Sequence, residues 1–150
     1  MSSTAVFIDA KSSNRKECNL LLVEGVSAAT FVKTNLEIIG NEKFGFFTTG
    51  GLLANVSASP SKAVKNQVLQ KLMKAVNLNF CFNYDSEEEK DSLRFGKMLL
   101  FSDGDDSGFY QKCLLLNFFY YFFPALFDHQ FVVLVKPPAE CSKCTEHKLF

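Results

Sequence analysis

Apolar and polar positions along this chain fall into blocks whose period changes several times. Asn19 to Val23 and Lys97 to Ser102 carry unbroken apolar cores, Leu20-Leu21-Leu22-Val23 and Met98-Leu99-Leu100-Phe101. Runs that short, each ended by turn residues, predict strands buried on both faces. Phe44 to Phe47 and Phe131 to Val135 predict two more. Between the strands the period turns helical. Ser27 can cap a helix reaching about Ile39, with Ala28, Phe31, Val32 and Leu36 on one side and Gly40-Asn41 as its stop. Pro60 opens a second helix, whose apolar positions Val64, Val68, Leu69, Leu72, Met73 and Val76 carry it to Val76. Gly108 to Phe123 predicts a third, with Pro124 at its end. Leu52 to Ser59 reads as loop or weak strand, and Asn83 to Arg94 as a charged loop or short helix. The expected organisation is a flexible lead-in over residues 1–18, one domain over 19–138, and a polar tail over 139–150. Strands alternating with helices predict an α/β fold: a small parallel sheet with helices on both faces, joined by right-handed crossovers.

Both strong strands run straight into carboxylates. Glu24 follows the first, and Asp103 and Asp105 follow the later one. Carboxylates just past parallel strands sit at the carboxyl edge of the sheet, where open α/β folds build their sites. Three acidic groups converging there repel one another unless a hard cation lies between them, and oxygen-only ligands favour Mg²⁺ or Mn²⁺.

Composition narrows the partners more than the fold. In 150 residues, 16 basic and 16 acidic side chains cancel, so the basic excess of a freestanding nucleic-acid binder is missing. The most apolar stretch, Cys113 to Phe127, holds Asn117 and Pro124 and is shorter than a spanning helix needs, so no membrane partner is expected. The start carries no signal-peptide pattern. Cys18, Cys81 and Cys113 lie in or beside apolar stretches and read as buried, reduced thiols of an intracellular protein. Cys141, Cys144 and His147 have the spacing of half a zinc site, but no second pair stands nearby, and chance spacing in a polar tail is the simpler reading. The lysines at 62, 65, 71 and 74 read as a solvated helix face, and Ser86 to Asp91 as a solvated loop.

Five blocks in order make a resemblance specific. They are Leu22-Val23-Glu24-Gly25-Val26-Ser27-Ala28; Phe44-Gly45-Phe46-Phe47 to Leu53-Ala54-Asn55-Val56; Leu93-Arg94-Phe95-Gly96-Lys97; Ser102-Asp103-Gly104-Asp105; and Leu114-Leu115-Leu116-Asn117-Phe118-Phe119 to Phe123-Pro124-Ala125-Leu126. Together they resemble the Toprim domain, a Rossmann-like fold, of a eukaryotic-type DNA topoisomerase II, over roughly Asn19 to Pro138. The resemblance implies Glu24 as acid/base or metal ligand and Asp103 and Asp105 as ligands of Mg²⁺ or Mn²⁺. It also implies DNA strand cleavage and religation with a tyrosine from another domain, DNA and other topoisomerase domains as partners, and a nuclear location. The family's main dimer contacts lie outside this domain.

The departures are equally specific. Val26 stands where the family has aspartate, and Thr48-Thr49-Gly50-Gly51-Leu52 replaces a block with two basic residues that would meet DNA phosphate. Ser107 takes the place of the third aspartate, which weakens the expected metal site, and Gly108-Phe109-Tyr110 replaces Gly-Ser-His. Asp106 lies one residue off the pattern, a substitute ligand only if the loop shifts. With no room in 150 residues for an ATPase module or a tyrosine domain, the chain alone is not expected to be an ATP-dependent topoisomerase. The alternative is a non-catalytic interaction module that keeps the fold while its metal site has decayed. A receiver-like phosphoacceptor ranks last, because the first strand offers only Glu24 where receivers carry an acidic pair.

Overall fold

The computed structural model describes residues 5–25, 30, 34–36, 38, 40–50, 53–101 and 106–135. Five strands form one sheet: β1 (Phe7–Ile8), β2 (Asn19–Val23), β3 (Phe44–Thr48), β4 (Lys97–Phe101) and β5 (Val132–Leu134), in the order β1-β3-β2-β4-β5. β2 pairs in parallel with β3 and β4, and β4 with β5. The helices are α1 (Pro60–Val64), α2 (Gln67–Val76), α3 (Glu87–Asp91), α4 (Asp106–Phe122) and α5 (Ala125–Asp128). Residues 30, 34–36 and 38 are also helical, and that turn ends where the Gly40 N–H reaches Leu36 O at 3.0 Å with Gly40 at φ +103°. Of the helix expected there, Ser27, Ala28, Phe31, Val32 and Ile39 lie outside the described residues.

The central strand shows why an unbroken apolar run is required. Leu20 and Leu22 of β2 join Phe47, Met98 and Leu100 in the main core, which α2 completes with Leu69, Leu72 and Val76 and α4 with Leu114, Leu115, Phe118 and Phe119. Leu21 and Val23 point the other way, into a smaller cluster with Phe46 and Leu36. The expected α/β architecture is therefore present, with most of the described helical mass on one face of the sheet. Among the described residues no helix is long and apolar enough to cross a membrane.

Two features differ from the sequence reading. Residues 1–18, expected as a flexible lead-in, include β1, which pairs antiparallel with β3 through Phe7↔Phe47 and Ile8↔Phe46, so the sheet is mostly rather than wholly parallel. Ala10 and Cys18 are buried in the core. The single helix expected from Pro60 to Val76 is two. Asn66 adopts an extended conformation and its side-chain oxygen accepts from Val68 N and Leu69 N at 3.0 and 3.1 Å. That side chain satisfies the first amides of α2 more locally than a continuous helix would, and the apolar period cannot register such a break.

Candidate functional site

Registers across the sheet decide what stands at its carboxyl edge. Val23 is level with Thr48 on one side and with Phe101 on the other. Glu24 and Thr49 therefore emerge beside one another, past a strand end level with Phe101. Gly25 follows Glu24 at φ +91°, a left-handed turn that strains any side chain, so a glycine directly after the glutamate has a backbone reason. Thr49 N donates to Val23 O at 3.3 Å and holds the β3 exit against Glu24.

The amino end of α4 comes to the same place. The Ser107 hydroxyl donates to Glu24 Oε1 at 3.4 Å, a long contact across 83 residues of sequence. Beneath it lies a cavity of about 10 Å³, lined among others by Leu22, Glu24, Thr49, Gln111, Lys112 and Leu115. That is room for about one water molecule. Gln111 is buried and its Oε1 accepts from Leu53 N at 3.4 Å, anchoring the segment after β3 to α4. Sequence reasoning missed Gln111 and Lys112. The available signal was Gln111 four residues after Ser107, which puts the two polar side chains on one side of the helix.

Of the expected ligands, Glu24 stands at the edge, half-buried, while Asp103 and Asp105 lie outside the described residues, as do Val26, Leu52, Cys141, Cys144 and His147. Among the described residues no three His, Cys, Asp or Glu side chains cluster as a metal site. Asp106 is exposed at the start of α4. Phe109 and Tyr110 are 67% and 50% exposed and present aromatic surface beside the edge.

Other expectations are corrected. Only Cys18 of the first three cysteines is buried; Cys81 and Cys113 are free and exposed, because each falls on the outer side of its segment. The acidic segment is the short helix α3, one of the two forms expected for it, but it is more than a solvated loop: Glu89 accepts from Tyr84 N at 2.7 Å and Asp91 pairs with Arg15 at 2.9 Å. Lys62, Lys65, Lys71 and Lys74 are exposed, as expected of a solvated face. The block Leu93 to Lys97 is explained by packing. Arg94 donates to Ala10 O and Ser12 O, both at 2.9 Å, Phe95 is fully buried, and a side chain at Gly96 would meet Lys16 O at 2.9 Å.

An α/β domain whose parallel strands deliver a glutamate to their carboxyl edge, beside the start of a long apolar helix, belongs to the Rossmann-like class. No protein-family model matches the chain. DNA topoisomerase 2-alpha of Cricetulus griseus is 35% identical over 144 residues, covering 95% of this chain and 9% of the relative. The Homo sapiens enzyme of that name is 34% identical with the same coverage. The DNA topoisomerase-like protein cin-4 of Caenorhabditis elegans is 33% identical over 95% of this chain and 17% of its own length. A crystal structure of the Plasmodium falciparum topoisomerase II DNA-binding, cleavage and re-ligation domain superposes with a TM-score of 0.78 at 32% identity, over 88% of this chain and 18% of that one. The chain is a topoisomerase II-related domain, a divergent counterpart of one segment of the eukaryotic type II enzymes, and it spans about a tenth of the curated topoisomerase 2-alpha relatives' length.

Proposed function

We propose that this domain is the Toprim part of a type II DNA topoisomerase, holding Mg²⁺ for strand cleavage and religation performed with a tyrosine on another domain. The observation that carries the reading is the meeting of Glu24 and Ser107 at the carboxyl edge of the parallel strands. The donors there are oxygens, a carboxylate and a hydroxyl, which suits Mg²⁺ or Mn²⁺ rather than zinc. Glu24, Asp103 and Asp105 would hold the ion, with Ser107 a weaker fourth donor than an aspartate. The chemistry such an ion supplies when bound is stabilisation of charge on the oxygens of a phosphodiester undergoing transesterification. Glu24 is suited to hold or take a proton at Oε1, where it already accepts the Ser107 hydroxyl. Gln111 and Thr49 keep the two walls of the edge in place, and the apolar neighbours Leu22 and Leu115 restrict water beneath it. The partners in this reading are DNA and the remaining topoisomerase domains, with dimer contacts outside the segment and a nuclear location.

One observation favours a second reading. The side chain beside Glu24 is a serine where the resemblance implies a third aspartate, which a non-catalytic module with a decayed site would also show. Manganese titration with a short nicked duplex, followed by electron paramagnetic resonance, separates the two. Binding by the wild type that is lost in Asp103→Ala and strengthened in Ser107→Asp supports the metal reading. A silent wild type with binding restored by Ser107→Asp assigns the decayed module. No binding in either removes the carboxylate assignment.

A further inference from the structure

The amino edge of the sheet carries a second feature, remote from Glu24. An open groove of about 810 Å³ runs between the segment after β1 and the carboxyl end of α2, with Phe7, Lys11, Arg15, Lys74, Asp91 and Arg94 on its walls. Through Phe7, Lys74 and Ala75 it continues into an apolar cleft of about 300 Å³ that also touches Phe47 and Lys71. The charges in this region are not balanced locally. Both carboxylates are already engaged: Asp9 pairs with Arg94 at 3.0 Å and Asp91 with Arg15 at 2.9 Å. The Arg94 guanidinium is further occupied by the carbonyls of Ala10 and Ser12. Lys11, Lys71 and Lys74 are exposed and have no ion-pair partner among the described residues. What remains available is Lys11 and Lys74 on the groove and Lys71 and Lys74 on the cleft, whose floor includes Phe7 at 40% exposed.

We propose that this groove docks an acidic polypeptide segment that carries apolar side chains between its carboxylates. Lys11, Lys71 and Lys74 would meet the carboxylates, and the cleft over Phe7 and Ala75 would take an apolar side chain. A nucleic-acid strand fits less well. Its unbroken phosphate charge would have to pass Asp9 and Asp91, each with a side chain 48% exposed on the groove wall. A peptide can space its carboxylates to avoid both acids. The proposal is independent of the metal reading, since the groove and cleft share no lining residue with the Glu24 cavity.

The test is fluorescence anisotropy of the full chain with a fluorescein-labelled decapeptide, Glu-Asp-Leu-Glu-Asp-Phe-Glu-Asp-Leu-Glu. A sign-reversed lysine peptide and a ten-nucleotide thymidine strand serve as competitors. Saturable binding with a dissociation constant below about 100 µM is expected, weakening about tenfold or more in Lys11→Glu/Lys74→Glu and recovering in Lys11→Arg/Lys74→Arg. Both lysines are exposed and have no ion-pair partner among the described residues, and unchanged melting temperatures verify that the variants fold. The proposal is overturned if the acidic peptide does not saturate, if charge reversal leaves binding unchanged, or if the thymidine strand binds more tightly than the peptide.

Discussion

Replacing Ser107 by aspartate tests the carboxyl edge with a single charge. Ser107 Oγ stands 3.4 Å from Glu24 Oε1, so Ser107→Asp sets two carboxylates about 4 Å apart. At that separation like charges repel by about 1 kcal/mol in a water-like medium and by about 4 kcal/mol at an effective dielectric constant near 20. Ser107 is exposed and Glu24 half-buried, which puts the pair toward the solvent end of that range, at about 1–2 kcal/mol. The hydrogen bond lost with the serine adds little, being long. In low salt with chelator, the variant should melt below the wild type by about 2–4 °C for each kcal/mol. Adding Mg²⁺ should reverse the loss and exceed it, because an ion held a hundredfold above its dissociation constant contributes about 2.7 kcal/mol. Differential scanning calorimetry with and without Mg²⁺ reads both arms. An unchanged melting temperature in chelator would refute the juxtaposition of Glu24 with residue 107. A drop that Mg²⁺ fails to rescue would keep the juxtaposition and remove the metal.

Other expectations follow from packing and titration. A Cβ at Gly45 would stand 2.6 Å from the Phe95 ring, which is fully buried under the Arg94 guanidinium at 5.0 Å, so Gly45→Ala should cost about 1–3 kcal/mol in urea unfolding. Asn66→Ala removes the side chain that caps α2 and should cost about 1 kcal/mol, read as a lower urea midpoint with an unchanged slope. Burial raises the ionisation of Tyr84 above its ordinary value, against the opposing hydrogen bond from Asn79 N. The folded state therefore keeps the proton longer than the unfolded one. That contribution is full below the unfolded value near 10 and is lost as pH rises through the folded one. Melting temperatures followed upward from about pH 9 should fall less steeply in Tyr84→Phe than in the wild type, and equal slopes would contradict the assignment.

The local patterns that the sequence carries are the ones a single element can express. Leu20 to Val23 and Met98 to Phe101 have to be two-sided strands, because the continuous run leaves no polar face for solvent. The apolar content of Asp106 to Phe122, with Pro124 behind it, likewise predicts a long helix. Only one side of it is buried, through Leu114, Leu115, Phe118 and Phe119, while Phe109, Tyr110, Tyr120 and Tyr121 are exposed. The alternation of elements predicts parallel pairing. From these alone Glu24 belongs at the carboxyl edge of the sheet. The tertiary structure decided the rest. Phe7 and Ile8 form a strand only because β3 offers a free edge, a partner about forty residues away that no local period can announce. The side chain of Asn66 ends one helix and begins another by meeting amides that exist only once the second helix forms. Ser107 reaches Glu24, and Asp9 and Asp91 are neutralised by arginines 85 and 76 positions away, because chain segments that carry no mutual signal are brought together by the folding of the core between them.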